Sequence, residues 1–186
     1  LKNISQKLAL IEAVIEPEWE YRYYSYNSKW GDSEEMASMR DGTGNHYFIL
    51  FQKDQCFIKV IDKIHNNKNE IYNKLEKIDT QSRNKIIPFL NEPAFYVDEI
   101  SFLYWNIKGK WDSIEIQKHE WLNIICNPIS EYKKFAEDYY EITLSSQLLL
   151  DLIHGDIDMK KLENLNSDVD FNSLKEDMDE IGLKIN

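Results

Sequence analysis

The 186-residue sequence predicts an α+β domain: an antiparallel sheet of about five strands, an N-terminal helix on one face, and a helical C-terminal region. Three observations predict it. Residues 46–62, HYFILFQKDQCFIKVID, read as two strands apolar on both sides of the pleat around a tight turn, the pattern of central strands. Residues 3–15 repeat apolar side chains at helical spacing. The last third is a series of short apolar segments, each opened by Ser or Asp.

The elements follow in order. Ile4, Leu8, Ile11 and Ile15 make the stripe of the first helix, widened by Leu10 and Val14, and Glu16-Pro17 ends it because the residue before Pro avoids helical angles. Residues 19–26, WEYRYYSY, alternate as a strand that buries Trp19, Tyr21 and Tyr23. Residues 32–40 read as a polar connection, and 41–45 as a loop into the hairpin of strands 46–52 and 55–61. Asp54 in that hairpin turn tolerates a left-handed backbone, and Ile49 and Phe57 are expected core residues. Residues 66–90 carry helical spacing at Ile71, Leu75 and Ile78, but their Asn- and Lys-rich composition reads as a surface excursion. Strands are expected at 101–107 and 111–116 around Lys108-Gly109-Lys110, and another at 139–144. Pro128 opens a helix with Ile129, Tyr132, and Phe135 or Ala136 on its inner face. Ser145 or Ser146, Asp158 and Asp170 cap the last three helices, with Gly155 and Gly182 ending the first and third.

Composition narrows the function classes. Residues 1–186 read as one domain, with a nearly neutral body at 1–136 and an acidic tail at 137–186. The tail holds 13 acidic and 4 basic residues, a net of −9 out of −11. That balance argues against nucleic acid and anionic membrane, which need clustered Lys and Arg, and suits a basic protein partner. Self-association is left open. No apolar run reaches the roughly 18 residues that span a bilayer, no secretory signal pattern opens the chain, and Cys56 and Cys126 read as core thiols rather than a disulfide. A reducing cytoplasm is the expected compartment.

Chemistry is sparse. The four His have no helical i, i+4 pair, and His119-Glu120-Trp121-Leu122-Asn123 puts Asn where a zinc-protease helix needs its second His. No metal and no cofactor is expected. Asp41-Gly42-Thr43-Gly44 precedes a strand rather than a helix, so it is not a phosphate cradle. Two candidate sites remain. One is a binding surface of Arg22, Tyr24, Tyr26, Trp30 and Arg40, because aromatics and Arg off the buried phase are what interface centres are enriched in. The other is an acid/base or small-ligand cluster of Glu34, Glu35, Asp41 and His46 with Arg22 and Arg40. The first makes the chain a non-enzymatic protein-binding module of immunity or inhibitor type. The second makes it a small enzyme or ligand binder. Asp177 and Asp179 read as exposed charges whose reversal leaves folding unchanged.

The segments EPEWEYRYYSYNSKW, EEMASMRDGTG, HYFILF, NEPAF at 91–95 and LKEDMDEIG at 174–182 resemble a family of small acidic bacterial cytoplasmic proteins of unassigned function. The resemblance implies a bacterial cytoplasmic protein. It implies Asp-Gly at the hairpin turn, where this chain has Asp54-Gln55, and it carries over no catalytic residue.

Overall fold

The computed structural model describes residues 1–115 and 120–184. Its fold is α+β, with an antiparallel six-stranded sheet in the order β1-β2-β3-β4-β5-β6, an N-terminal helix and C-terminal helices. The strands are β1 (Tyr24–Gly31), β2 (Glu34–Arg40), β3 (His46–Gln52), β4 (Gln55–Ile61), β5 (Phe102–Ile107) and β6 (Lys110–Ile114). The helices are α1 (Lys2–Ile15), α2 (Lys68–Leu75), α3 (Thr80–Leu90), α4 (Asn123–Cys126), α5 (Pro128–Tyr139), α6 (Ser146–His154), α7 (Met159–Leu165) and α8 (Phe171–Ile181). The chain forms two compact units, residues 1–28 with 120–186, and residues 29–119.

The second unit is built on the hairpin the sequence singles out. β3 pairs with β4 from His46↔Ile61 to Gln52↔Gln55, and Ile49 and Phe57 are fully buried. β3 is buried at both phases of the pleat, Tyr47, Ile49 and Phe51 on one and Phe48 and Leu50 on the other. The turn at Lys53 and Asp54 uses no positive φ, which corrects the left-handed role expected for Asp54. The Asp54 carbonyl instead accepts the Lys108 amide at 2.9 Å. The next hairpin does turn left-handed, at Lys108 (φ 53°) and Gly109 (φ 81°).

The sixth strand comes from residues read as a polar connection. Glu34–Arg40 pairs along its length with β3, from Glu35↔Phe51 to Arg40↔His46. Ala37, Ser38 and Met39 are buried there, so strand pairing outweighs the polar composition. Residues 66–90 are also corrected. Ile71, Leu75, Ile86, Phe89 and Leu90 are buried and join Phe48, Leu50, Phe57, Leu103 and Trp105 in one core cluster. Their i, i+4 spacing places a few apolar side chains on one face of each short helix, which suffices to cover a sheet face. Ile116, expected to end the last strand, lies outside the described residues.

Lys59 is the anomaly of this core. It sits mid-β4 between Phe48 and Leu103, is 1% exposed, and donates from Nζ to the Tyr96 carbonyl at 2.8 Å. Tyr96, left-handed at φ 53°, follows the 3-10 turn Pro93–Phe95. Burial pushes the Lys59 amine down from 10.5 to about 8, while Glu99 and Asp98 raise it and Lys68 lowers it. Between those two values the unfolded chain holds the proton and the folded chain does not, so stability rises with pH across that window. The rise from Lys59 alone is about 3 kcal/mol at most. We expect urea midpoints of the native protein to climb between pH 7 and 10, and those of Lys59→Met to lack this increment. Superimposable pH profiles would remove Lys59 as its source.

The first unit is built on α1, which is buried on more sides than its apolar stripe. Lys7 and Glu12 are buried together with Leu8, Ala9, Leu10, Ile11, Ala13 and Val14. The expected caps are present: Ser145 accepts from the Leu148 amide, Asp158 from Lys161 and Asp170 from Asn172. Gly182 ends α8 at φ 77°, where a Cβ would also meet the Ser28 side chain at 2.8 Å. The strand expected at 139–144 is absent, because α5 runs on to Tyr139 and no strand follows it. Lys133 and the Leu144 amide both bond Glu137 there, so the apolar residues of YYEITL serve helix end and loop.

Candidate interaction surface

The acid/base cluster does not assemble. Arg40 and His46 face each other across the β2–β3 pair, but Glu34 and Glu35 stand at the opposite end of β2. Five to six residues of strand put them roughly 15–20 Å away. Asp41 is used up as a loop organiser. Its carboxylate accepts from the Thr43 amide (2.8 Å), Thr43 Oγ1 (2.8 Å), the Asn45 amide (3.0 Å) and Asn45 Nδ2 (2.5 Å). Those bonds hold its pKa below the usual carboxylate value despite burial. Glu34 accepts from Gln52 Nε2 on the facing strand. His46 stacks on Tyr96 with ring centroids 4.8 Å apart, and burial lowers its pKa. Its buried Nδ1 has no hydrogen-bond partner among the described residues, so no acceptor fixes a tautomer as a catalytic base requires.

Arg22 is buried and committed elsewhere. Its guanidinium grips Asp177 with two bonds, Nη1–Oδ1 2.6 Å and Nη2–Oδ2 3.1 Å. It also donates to the carbonyls of Glu16 and Pro17. Arg40 is half-buried at the end of β2, where burial lowers its pKa.

The aromatic run is inverted relative to expectation. Tyr24 and Tyr26 are buried, and Trp30 is partly buried and stacks on Phe95 at 5.5 Å. Trp19 and Tyr21 are the exposed ones, at 50% and 53%. Pro17 and the carboxylates at 16, 18 and 20 favour a turn there, and Trp19–Tyr21 is a 3-10 turn outside any strand. β1 therefore begins five residues late, and its buried phase starts at Tyr24. Aromatics occupy both phases of this stretch, so alternation alone could not choose between them.

The exposed pair continues into α5. Tyr139, 42% exposed, donates its hydroxyl to the Tyr21 carbonyl at 3.4 Å. Its ring stacks on Phe135 at 5.6 Å and packs against Tyr23 at 4.5 Å. Trp19, Tyr21 and Tyr139 thus each leave about half of their surface open to solvent, and Tyr139 is joined to the backbone of Tyr21. Acidic groups flank Tyr21: Glu20 first, then Glu18 and Glu16, push its phenol above the ordinary pKa. Along α5 the same unit carries a shallow recess of about 810 Å³ lined by Glu131, Lys134, Phe135 and Asp138.

Other expectations end more simply. Cys126 is exposed at the end of α4, against its reading as a core thiol. Cys56 is partly buried, and burial pushes its thiol up to about 12, which suppresses the nucleophilic thiolate. His119 of the near-miss zinc motif lies outside the described residues. Among those described, no group of three His, Cys, Asp or Glu could hold a metal ion, and no helix is long and apolar enough to cross a membrane. The chain matches no family model, no curated protein and no solved structure.

Proposed function

We propose that this chain is a protein-binding module, of the immunity or inhibitor kind, that recognises a basic segment of another protein. The single observation behind this reading is the exposed trio Trp19, Tyr21 and Tyr139 set among Glu16, Glu18 and Glu20. Large aromatics anchor interfaces because they bury much area at little entropic cost. A partner arginine stacks its guanidinium on an indole or phenol face while its charge meets a neighbouring carboxylate. The tail's net charge of −9 steers a basic partner toward the same unit. Catalysis is not part of the proposal, since Glu34 and Glu35 stand at the far end of β2 from Arg40, Asp41 and His46, and Asp41 is bonded within its own loop.

The experiment immobilises the native protein and a Trp19→Ala/Tyr21→Ala variant, identifies proteins retained only by the former, and measures their direct binding. Both rings are about half exposed, and an unchanged urea midpoint checks that the variant stays folded. We expect a loss of roughly 30-fold or more in affinity, carried by dissociation, with a salt-dependent association rate. A purified partner that binds both forms equally would refute the assignment.

A further inference from the structure

A polar concavity of about 430 Å³ lies in the first unit, away from the aromatic trio's residues. Asn3 and Lys7 of α1, His154 and Asp156 around the end of α6, and Lys184 beyond α8 line it. Lys7 is only 7% exposed, yet among the described residues its ammonium makes one hydrogen bond, to the Gly155 carbonyl at 2.9 Å. An ammonium has three donors, so the Gly155 carbonyl leaves two of them for water or a ligand in the concavity that Lys7 lines.

The surrounding charges sharpen this. Burial lowers the Lys7 pKa, Asp156 raises it, and the nearby Lys161 lowers it. Lys161 is occupied, bonding the Asp156 carbonyl at 2.5 Å and Asp158 Oδ2 at 3.4 Å. Among the described lining residues, Lys7 and Lys184 therefore stand against one carboxylate, that of Asp156, an excess of one positive charge. The tail contains only four lysines, and Lys161 and Lys184 are two of them. A chain of net charge −11 thus gathers residues 7, 154 and 184 from distant places around one recess.

We propose that this recess binds a small oxyanion, the carboxylate or phosphate group of a metabolite-sized molecule. Lys7 and Lys184 supply charge, and Asn3 and His154 supply N–H donors. Asp156 at the rim favours a ligand with a hydrogen-bond donor beside its anionic group. The volume falls in the range of small-molecule sites.

The test is thermal unfolding in about 20 mM inorganic phosphate, in about 20 mM succinate, and in chloride at equal ionic strength. A ligand present well above its dissociation constant raises the midpoint by a few degrees, and about 2 °C is the expected gain. The variant is Lys184→Ala/His154→Ala, since both side chains are exposed and Lys7→Met risks the packing of α1. The double variant should lose at least half of the gain. Stabilisation by phosphate alone or by succinate alone identifies the headgroup, and either supports the site. No gain over chloride, or an equal gain in the double variant, overturns it.

Discussion

Glu12→Ala should cost roughly 5 kcal/mol, a large fraction of the stability of a domain this size. Glu12 lies mid-α1 with no exposed surface. Its carboxylate accepts from the hydroxyls of Tyr132 and Tyr140, both at 2.7 Å, and from the backbone amides of Tyr23 at 2.8 Å and Tyr24 at 3.5 Å. One side chain therefore ties α1 to α5 and to the entry of β1. Alanine leaves buried donors without an acceptor, each worth about 1–3 kcal/mol, and adds a cavity. Glu12→Gln keeps the shape and one acceptor oxygen but turns an NH2 toward donors, so roughly half the loss is expected. Burial raises the Glu12 pKa, with the four hydrogen bonds pulling the other way. The folded chain then holds the proton at a pH where the unfolded chain has released it. This contribution to stability falls as pH rises from the ordinary carboxylate range through the raised value, and Glu12→Gln should remove that slope. Urea unfolding of both variants checks the ranking, and a Glu12→Ala loss under about 1 kcal/mol would show the network to be dispensable.

What was legible in the sequence is what local periodicity decides. The β3–β4 hairpin, α1, the β5–β6 hairpin and the three caps at Ser145, Asp158 and Asp170 fall where their patterns place them. Each is specified by neighbours within a few residues. Three kinds of feature escaped. β2 is polar by composition and owes its conformation to pairing with β3, a non-local cause. Residues 19–26 carry aromatics in both phases, so the inside of β1 was undetermined until tertiary packing chose Tyr24 and Tyr26. Lys7, Glu12 and Lys59 look like solvent-facing charges in any pattern, yet all three are buried, each bonded to a partner more than ten residues away. The candidate interaction surface sits at the second of these failures. Pro17 and three carboxylates around Trp19 were its only local signal, and the same residues read equally well as the polar side of a strand.

Asp177→Lys illustrates the same lesson as a measurable correction, with an expected loss of about 4 kcal/mol. In sequence Asp177 is one of several acidic residues on an amphipathic helix, and its reversal looked neutral to folding. In the structure its side chain is 23% exposed and meets a guanidinium that is 6% exposed, at 2.6 Å. Arg22 spends its remaining donors on the carbonyls of Glu16 at 2.7 Å and Pro17 at 2.6 Å, which fix the chain as it leaves α1. Removing one partner of a buried pair strands the other charge, at a cost of about 3–5 kcal/mol, and lysine adds repulsion. Asp177→Asn keeps one acceptor oxygen and should lose about half as much. Arg22→Lys cannot reproduce the planar fork, so it should resemble Asp177→Asn rather than a neutral exchange. Asp179, exposed on the same helix, is the control, and Asp179→Lys should change stability by less than about 1 kcal/mol. Urea denaturation of the four variants at neutral pH gives the comparison. Equal, small losses for Asp177→Lys and Asp179→Lys would mean that the bond to Arg22 contributes nothing net. The expected gap between them would instead assign Asp177 to the scaffold that holds residues 16–22 in place, and with them the turn on which Trp19 and Tyr21 are displayed.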